Sequence, residues 1–154
     1  MIVVSDTSPI TSLLSVEKSD LLQKLFETVI IPPAVEKELH QYHIDLPEFI
    51  KVRVLEDLDS VKMLANKLDQ GEAEAIVLAK ELKADFLLID EALGRSLALQ
   101  NRIRVIGLLG VLVLAKRKAL ISSLKDVIDE LEQKAGFYIS RTLKVRVLGE
   151  VGED

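Results

Sequence analysis

The sequence contains no cysteine and few aromatic residues. Without cysteine the chain can form neither disulfides nor thiolate metal sites, which is typical of a cytoplasmic protein. Aromatic residues make up only 4% of the chain, so leucine, valine, isoleucine and alanine must build the core. Apolar residues make up 49% of the 154 residues and the mean hydropathy is +0.26. We therefore expect a folded domain with a substantial core rather than a disordered chain.

Long hydrophobic runs and an excess of positive charge are also missing. The longest apolar run, VIGLLGVLVLA at 105–115, is too short for a membrane-spanning helix, which needs about 20 residues. Met1 leads directly into a strand-like IVV, so we expect no signal peptide and no membrane association. The net charge of −5 argues against a protein that coats nucleic acid through its overall charge. An enzyme with a local acidic site remains compatible with that charge.

Short apolar runs alternate with helical patterns along the chain. The pattern predicts strands at 2–5, 28–31, 51–55, 85–90 and 104–106. It predicts helices at 7–15, 19–26, 33–41, 58–68, 72–83, 91–100, 107–118, 122–135 and 139–148, although KVRVL in the last also alternates like a strand. Apolar strands between helices are typical of a parallel sheet covered on both faces. We expect one three-layer α/β/α domain over 1–154 with a mostly parallel sheet of about five strands, on which the helical part 107–154 packs.

Four acidic residues stand in apolar surroundings, where a solvated charge is unusual: Asp6 after IVVS, Glu38 in PAVEKELHQ, Glu74 in GEAEAIVLAKEL and Asp90 after DFLLI. In parallel sheets the functional site lies beyond the carboxyl ends of the strands. If their strands are neighbours, Asp6 and Asp90 meet there. Carboxylates suit Mg²⁺ or Mn²⁺, and two such ions can activate a water and stabilise the leaving oxygen of a phosphodiester. The set therefore points to metal-dependent nuclease chemistry.

Each of these acids has a simpler interpretation when it is taken alone. Asp6 and Asp90 are favoured helix caps, and Glu38 could be an ordinary surface residue. Glu72 stands in a helical first turn, where an acid complements the helix dipole. Because Glu72 and Glu74 are about 200° apart around a helix, the two cannot both face one point without reaching around it.

The sequence resembles PIN-domain proteins, the superfamily that includes the VapC-type toxin ribonucleases. The segments SDTSPITSLL, IPPAVEKEL and GEAEAIVLAKELKADFLLIDE resemble those that carry the four acidic positions of the family. LLIDE-x-x-x-R and G-x-x-G-V-L-x-x-A-K (107–116) are similar to an uncharacterised branch, DUF3368. The resemblance covers nearly the whole chain and implies a PIN-like, Rossmann-like fold.

The resemblance also implies an activity, a cofactor and partners. Asp6, Glu38, Glu74 and Asp90 would bind Mg²⁺ or Mn²⁺ and catalyse hydrolysis of RNA phosphodiester bonds. Ser8 would position the attacking water or the ligands, unless it only caps the first helix, where Pro9 follows it. Glu72 would be an outer ligand or an alternative third acid. By this resemblance the chain would be the cytoplasmic toxin of a toxin–antitoxin pair, with an antitoxin protein as partner. The apolar stretch 107–135 is compatible with a homodimer interface and equally with packing inside one chain.

Basic and aromatic residues offer further contacts. Arg95, five residues after Asp90, would face the crevice and contact a phosphate, or would pair with Glu91. Basic residues that could hold an RNA backbone are Arg102, Arg104, Lys116, Arg117 and Lys118, although the last three also suit a helix C-terminus. The pair His40 and His43 is more typical of a surface loop than of a metal site. Phe137 and Tyr138 are more typical of a core contact after a helix end.

Two departures from the family pattern keep other functions open. Glu74 stands where many members have Asp, and Leu88 stands where many have Thr or Ser. One alternative is a phosphoryl-transfer or phospho-acceptor protein with Asp6 as the phosphorylated residue, although Ser8 occupies the place of the second Asp in an Asp-x-Asp motif. The other alternative is a noncatalytic PIN-fold interaction module.

Overall fold

The computed structural model describes residues 1–42 and 45–153, and five of its strands form one parallel sheet. The strands are β1 (Val3–Ser5), β2 (Val29–Ile31), β3 (Ile50–Val52), β4 (Phe86–Leu88) and β5 (Val105–Ile106). Their order across the sheet is β3-β2-β1-β4-β5, and every neighbouring pair is parallel. The expected parallel five-stranded sheet is confirmed.

Helices cover both faces of this sheet. Within the described residues they are α1 (Thr7–Ser15), α2 (Asp20–Phe26), α3 (Pro33–Tyr42), α4 (Leu58–Leu64), α5 (Gln70–Glu81), α6 (Ala92–Gln100), α7 (Leu108–Arg117), α8 (Leu124–Lys134) and α9 (Arg141–Glu150). Val3 and Val4 are both fully buried, but they belong to different cores because successive strand residues point to opposite faces. Val3 packs with α1, α2, α3, α7, α8 and α9, whereas Val4 packs with α4, α5 and α6. The three-layer α/β/α prediction is therefore confirmed.

Some element boundaries differ from those that the sequence predicts. β4 ends at Leu88 rather than at residue 90, because Ser5 of β1 is the last residue that pairs with it. Asp90 therefore lies two residues beyond its strand. β3 covers 50–52 rather than 51–55, since it lies at the edge and pairs with only three residues of β2. α4 ends at Leu64 rather than at residue 68.

The ambiguous segment KVRVL is helical. It lies in α9, where the Ser140 side chain caps the first turn by accepting a hydrogen bond from the Leu143 N–H at 3.2 Å. Val147 and Leu148 are buried, which fixes one face of this helix against the core. Of the helices in the part of the chain that the structure describes, none is long and apolar enough to cross a membrane.

Candidate active site

The strand order places the loops after β1 and β4 beside each other. β1 continues through helices to β2 on one side and pairs with β4 on its other side, so the chain connection reverses direction here. Such a switch point opens a crevice at the carboxyl ends of the strands. The Asp6 N–H donates to the Leu88 carbonyl at 2.9 Å, which fixes Asp6 at the floor of the crevice.

The crevice contains a pocket of about 380 Å³ with acidic walls. We call it the acid pocket and define it by five carboxylates: Asp6, Glu38, Asp69, Glu72 and Glu91. Thr7, Ser8, Thr11 and Tyr42 complete the lining. Two of the four predicted acids, Asp6 and Glu38, therefore lie here, as do Ser8 and Glu72.

Asp6 occupies the cap position of α1, but it does not act as a cap. Its side chain accepts no capping hydrogen bond, and it is only 6% exposed. Burial raises the pKa of Asp6 to about 7; the Thr7 N–H opposes this rise, and the charges of Asp69, Glu38 and Asp90 add to it. The interpretation of Ser8 as the cap is wrong: α1 begins one residue earlier, at Thr7, and Ser8 is exposed at the pocket.

Glu38 reaches the pocket from α3 and is held by two contacts. The Thr7 hydroxyl donates to Glu38 Oε2 at 2.8 Å. On the other side the carboxylate lies against the backbone of Gly71, where any Cβ would collide with Glu38 Oε1. Glycine at position 71 thus leaves the space in which the Glu38 carboxylate sits.

Glu72 comes from the first turn of α5 and is buried, with 6% of its surface exposed. Asp69 and Glu72 form a capping box, in which each side chain accepts a hydrogen bond from the backbone N–H of the other residue. Glu72 Oε2 is buried and has no hydrogen-bond partner among the described residues. Burial, followed by the hydrogen bond to Asp69 and the charges of Asp69 and Asp6, raises the pKa of Glu72 to about 8.

Glu74 points elsewhere. Its Oε1 accepts a hydrogen bond from the Ala34 N–H at 3.0 Å, and its Oε2 accepts one from the Gln70 side chain at 2.8 Å. The Ala34 N–H belongs to the first turn of α3, where backbone donors lack helical partners. Glu74 therefore caps a neighbouring helix, and it does not line the acid pocket.

Asp90 lies beside the acid pocket and not in its lining. Its Oδ1 accepts from the Leu108 N–H at 2.8 Å, at the start of α7. Burial raises the pKa of Asp90, while the Leu108 N–H and Arg95 oppose the rise. Arg95 faces this edge of the crevice, and its Nη1 donates to the Ile89 carbonyl at 3.2 Å. Glu91, rather than Asp90, caps α6 by accepting from the Gly94 N–H at 2.6 Å.

The sequence interpretation missed Asp69, Glu91 and Gly71. Asp69 had a recognisable signal, since Asp-x-x-Glu before an apolar run is a capping box. The signal for Glu91 was its place at the start of the helix predicted over 91–100, where an acid is favourable. Gly71 had none, because its contact with Glu38 joins residues that are far apart in the sequence.

The donor atoms of the acid pocket suit a hard divalent cation. All five acids offer oxygen ligands, which Mg²⁺ and Mn²⁺ prefer, and within the described part of the chain no lysine or arginine lines the pocket. The unpartnered Glu72 Oε2 and the raised pKa of Asp6 both favour a cation nearby. Among residues 1–42 and 45–153, however, no three acidic or histidine side chains are already grouped closely enough to share an ion. The donors fit, and their side chains must move together to bind one ion jointly.

His40 does not line the acid pocket. It lies exposed near Glu36 of its own helix, with Nε2 and Oε2 at 3.9 Å, as the interpretation of a surface residue predicts. His43, for which the sequence predicts the same, lies outside the described residues.

The family model described as "DUF3368: PIN domain" matches residues 2–153, which is nearly the whole chain. No curated protein matches this chain at a significant level.

Proposed function

Since this chain belongs to the DUF3368 family of PIN domains, a fold family of nuclease type, we propose that it is a metal-dependent endoribonuclease. The observation that carries the proposal is the acid pocket at the switch point of the sheet. Asp6 and Glu72 are buried acids with raised pKa values, and of the residues that the structure describes none with a cationic side chain lines the pocket. A divalent cation would remove the cost of charging them.

In this proposal Asp6, Glu38 and Glu72 hold Mg²⁺ or Mn²⁺. When bound, the metal supplies an activated water and stabilises the leaving oxygen of the phosphodiester. Asp90 acts from the neighbouring loop through its charge on Asp6. Glu74 is replaced by Glu72 as the third acid, because Glu74 caps α3.

The other residues of the acid pocket orient these carboxylates. The Thr7 hydroxyl fixes one oxygen of Glu38. Asp69 anchors the first turn of α5 and so sets the position of Glu72. The exposed Ser8 hydroxyl can hydrogen bond a substrate phosphate or the attacking water at the mouth of the pocket. Such positioning contributes to catalysis because the reacting groups are held in the required geometry.

The test is cleavage of a labelled single-stranded RNA in Mn²⁺ or Mg²⁺. We expect cleavage that EDTA abolishes and that Asp6→Asn reduces by at least about 100-fold. Asp59→Asn is the matched control, because Asp59 is exposed in the first turn of α4. A protein that binds Mn²⁺ with no measurable heat and cuts no RNA would instead be a noncatalytic module, and the proposal would be wrong.

The proposed biological role is that of a toxin in the cytoplasm, neutralised by an antitoxin protein. If this is so, expression of the wild-type chain arrests growth and expression of Asp6→Asn does not. Arrest by both proteins would separate the toxicity from the acid pocket. Normal growth during expression of either protein would count against the toxin role. The nuclease proposal would then be judged by the cleavage assay alone.

A further inference from the structure

A second concave surface lies beside the acid pocket, between β5, α7, α9 and the segment 137–139. It encloses about 790 Å³. We call it the arginine groove and define it by six of its lining residues: Phe86, Arg95, Arg117, Phe137, Tyr138 and Arg146. The chain has only four Phe, two Tyr and no Trp, and three of these aromatic residues line this one groove. Three of the seven arginines line it as well.

The arginines of the groove form few ion pairs within the protein. Within 1–42 and 45–153, neither Arg95 nor Arg117 forms an ion pair, and Arg146 approaches Glu150 only at 3.9 Å on an exposed helix face. By contrast, Lys116 beside them is paired with Glu153 at 3.3 Å. Asp90 and Glu150 also line the groove, so its three arginines exceed its acids by one in a chain whose net charge is −5. The groove is therefore suited to a negatively charged ligand.

Tyr138 presents its ring to solvent at the rim of the groove. It is 84% exposed, so the interpretation of the Phe137–Tyr138 pair as a core contact is wrong for Tyr138. Phe137 packs against the core and Ile139 is buried, whereas Tyr138 between them is turned toward solvent. An exposed aromatic ring next to arginines is a stacking platform for nucleic-acid bases.

The groove begins next to the acid pocket. Asp90, whose charge acts on Asp6, also lines the groove. A Cβ on Gly107 would lie 2.7 Å from Asp90 Oδ1 and 2.6 Å from Arg95 Nη1, so these two side chains flank Gly107 at the start of α7. From there the groove runs along α7 to Arg117, which lies about 13 Å from Leu108 along the helix axis at 1.5 Å per residue.

We propose that the arginine groove binds the single-stranded RNA that flanks the scissile phosphate. This inference rests on the proposed ribonuclease function. Arg117 and Arg146 contact successive phosphates, and a base stacks on Tyr138. Although aliphatic side chains also line the groove, the excess of arginines over acids and the exposed ring favour a polyanion with planar bases over an apolar protein segment.

The first test measures RNA binding without cleavage, in EDTA, by fluorescence anisotropy of a labelled single-stranded RNA. We expect Tyr138→Ala to weaken binding about fivefold or more. Arg117→Gln should weaken binding and reduce the slope of log K against log salt by about 0.7, the value for one lost phosphate contact on a single strand. Arg53→Gln is the matched control, because Arg53 is exposed beyond β3 at the opposite edge of the sheet.

The second test uses the absence of tryptophan from the chain. In Tyr138→Trp the only indole reports on the groove, and base stacking should quench its fluorescence when RNA is added. Met63→Trp is the control, since Met63 is 74% exposed on α4 and does not line the groove. Both positions are exposed, so neither substitution disturbs the core.

The outcomes separate this inference from the proposed function. Equal RNA affinities for wild type, Arg117→Gln and Arg53→Gln, or equal quenching at positions 138 and 63, overturn the inference. An absence of RNA binding by the wild type at low salt also overturns the inference. A protein segment would then be the better candidate for the ligand of the groove. Loss of binding in the groove variants supports it even if no cleavage is detected in Mn²⁺. In that case only the proposed activity fails.

Discussion

Acidic side chains meet opposite environments in the acid pocket and in the C-terminal helices. On α8, Asp129 and Glu132 lie 2.6 and 3.0 Å from the Lys144 ammonium. Their hydrogen bonds raise the pKa of Lys144. Glu153 accepts from the N–H groups of Leu124 and Lys125 and pairs with Lys116, and these contacts lower its pKa against the opposing effect of burial.

Among the described residues, no lysine or arginine side chain lines the acid pocket. Asp6 and Glu72 are more deeply buried than any of those C-terminal acids, yet their pKa values are raised rather than lowered. The C-terminal acids are paired with cations of the fold, whereas Asp6 and Glu72 have no cationic side chain beside them in the pocket lining. Buried, perturbed carboxylates in a crevice are characteristic of functional sites. The difference between the two regions thus supports a function for the pocket rather than a structural role.

The largest expected effect concerns stability without metal. The pKa of Asp6 is about 7 in the folded protein against an ordinary 3.8, so the folded state holds a proton that the unfolded state has lost. The free energy of unfolding should therefore decrease as the pH rises from about 4 to about 7, by about 4 kcal/mol for Asp6 alone. Because the pKa of Glu72 is about 8, the decrease continues to that pH.

Urea denaturation in EDTA at pH 5 and pH 8 measures this effect. Asp6→Asn should lose clearly less stability than the wild type over that interval, and Mn²⁺ at pH 8 should stabilise the wild type more than the variant. If the two proteins show the same pH dependence, the pKa of Asp6 is not raised in the folded protein. The acid pocket and the C-terminal helices would then not differ in how they treat a buried acid.

The next effect distinguishes two acids of one helix. Glu72→Gln should reduce Mn²⁺ affinity and RNA cleavage at least about tenfold, because Glu72 lines the acid pocket. Glu74→Gln should change both by less than about twofold, since the amide oxygen can still accept the Ala34 N–H. Isothermal titration and a cleavage assay measure the two quantities. The reverse result would make Glu74 the third acid, as the family resemblance implies.

A smaller effect is expected from the glycine behind Glu38. Gly71→Ala places a methyl group against the Glu38 carboxylate and should reduce cleavage several-fold by displacing it. Alanine favours the helix, so the free energy of unfolding should change by no more than about 1 kcal/mol. Gly149→Ala is the control, because a Cβ there would have no atom of the described residues outside its own helix turn and chain neighbours within 4 Å. Unchanged cleavage in Gly71→Ala would mean that Glu38 is free to move without loss of function.

The smallest effect belongs to the neutralised acids. Lys144→Met removes the partner of Asp129 and Glu132, and should lower the free energy of unfolding by about 0.5–1 kcal/mol because the cluster is partly exposed. Cleavage should not change. Thermal denaturation and the same RNA assay check both outcomes, and a loss of activity would show that the two regions are not independent.

Much of the fold could be predicted from local patterns. β2, β4 and β5 consist of apolar residues only, and Pro33 begins α3 as its fixed backbone angle favours. The boundaries of β3 and β4 could not be predicted, because a strand ends where its partner stops pairing and that depends on residues from another part of the chain.

For the site, the sequence alone was enough to select Asp6 and to place it at the carboxyl edge of the sheet. A charged residue that directly follows a buried strand must lie at the carboxyl end of that strand. Only the tertiary structure decided between Glu72 and Glu74. α5 is buried on nearly all sides, since its own residues Ala73, Ala75, Ile76, Val77, Leu78 and Ala79 are all buried. A helix without a polar face carries no periodicity that fixes its rotation. Packing against α3, α4, α6 and the sheet fixes it instead, and turns Glu72 toward the acid pocket and Glu74 toward α3.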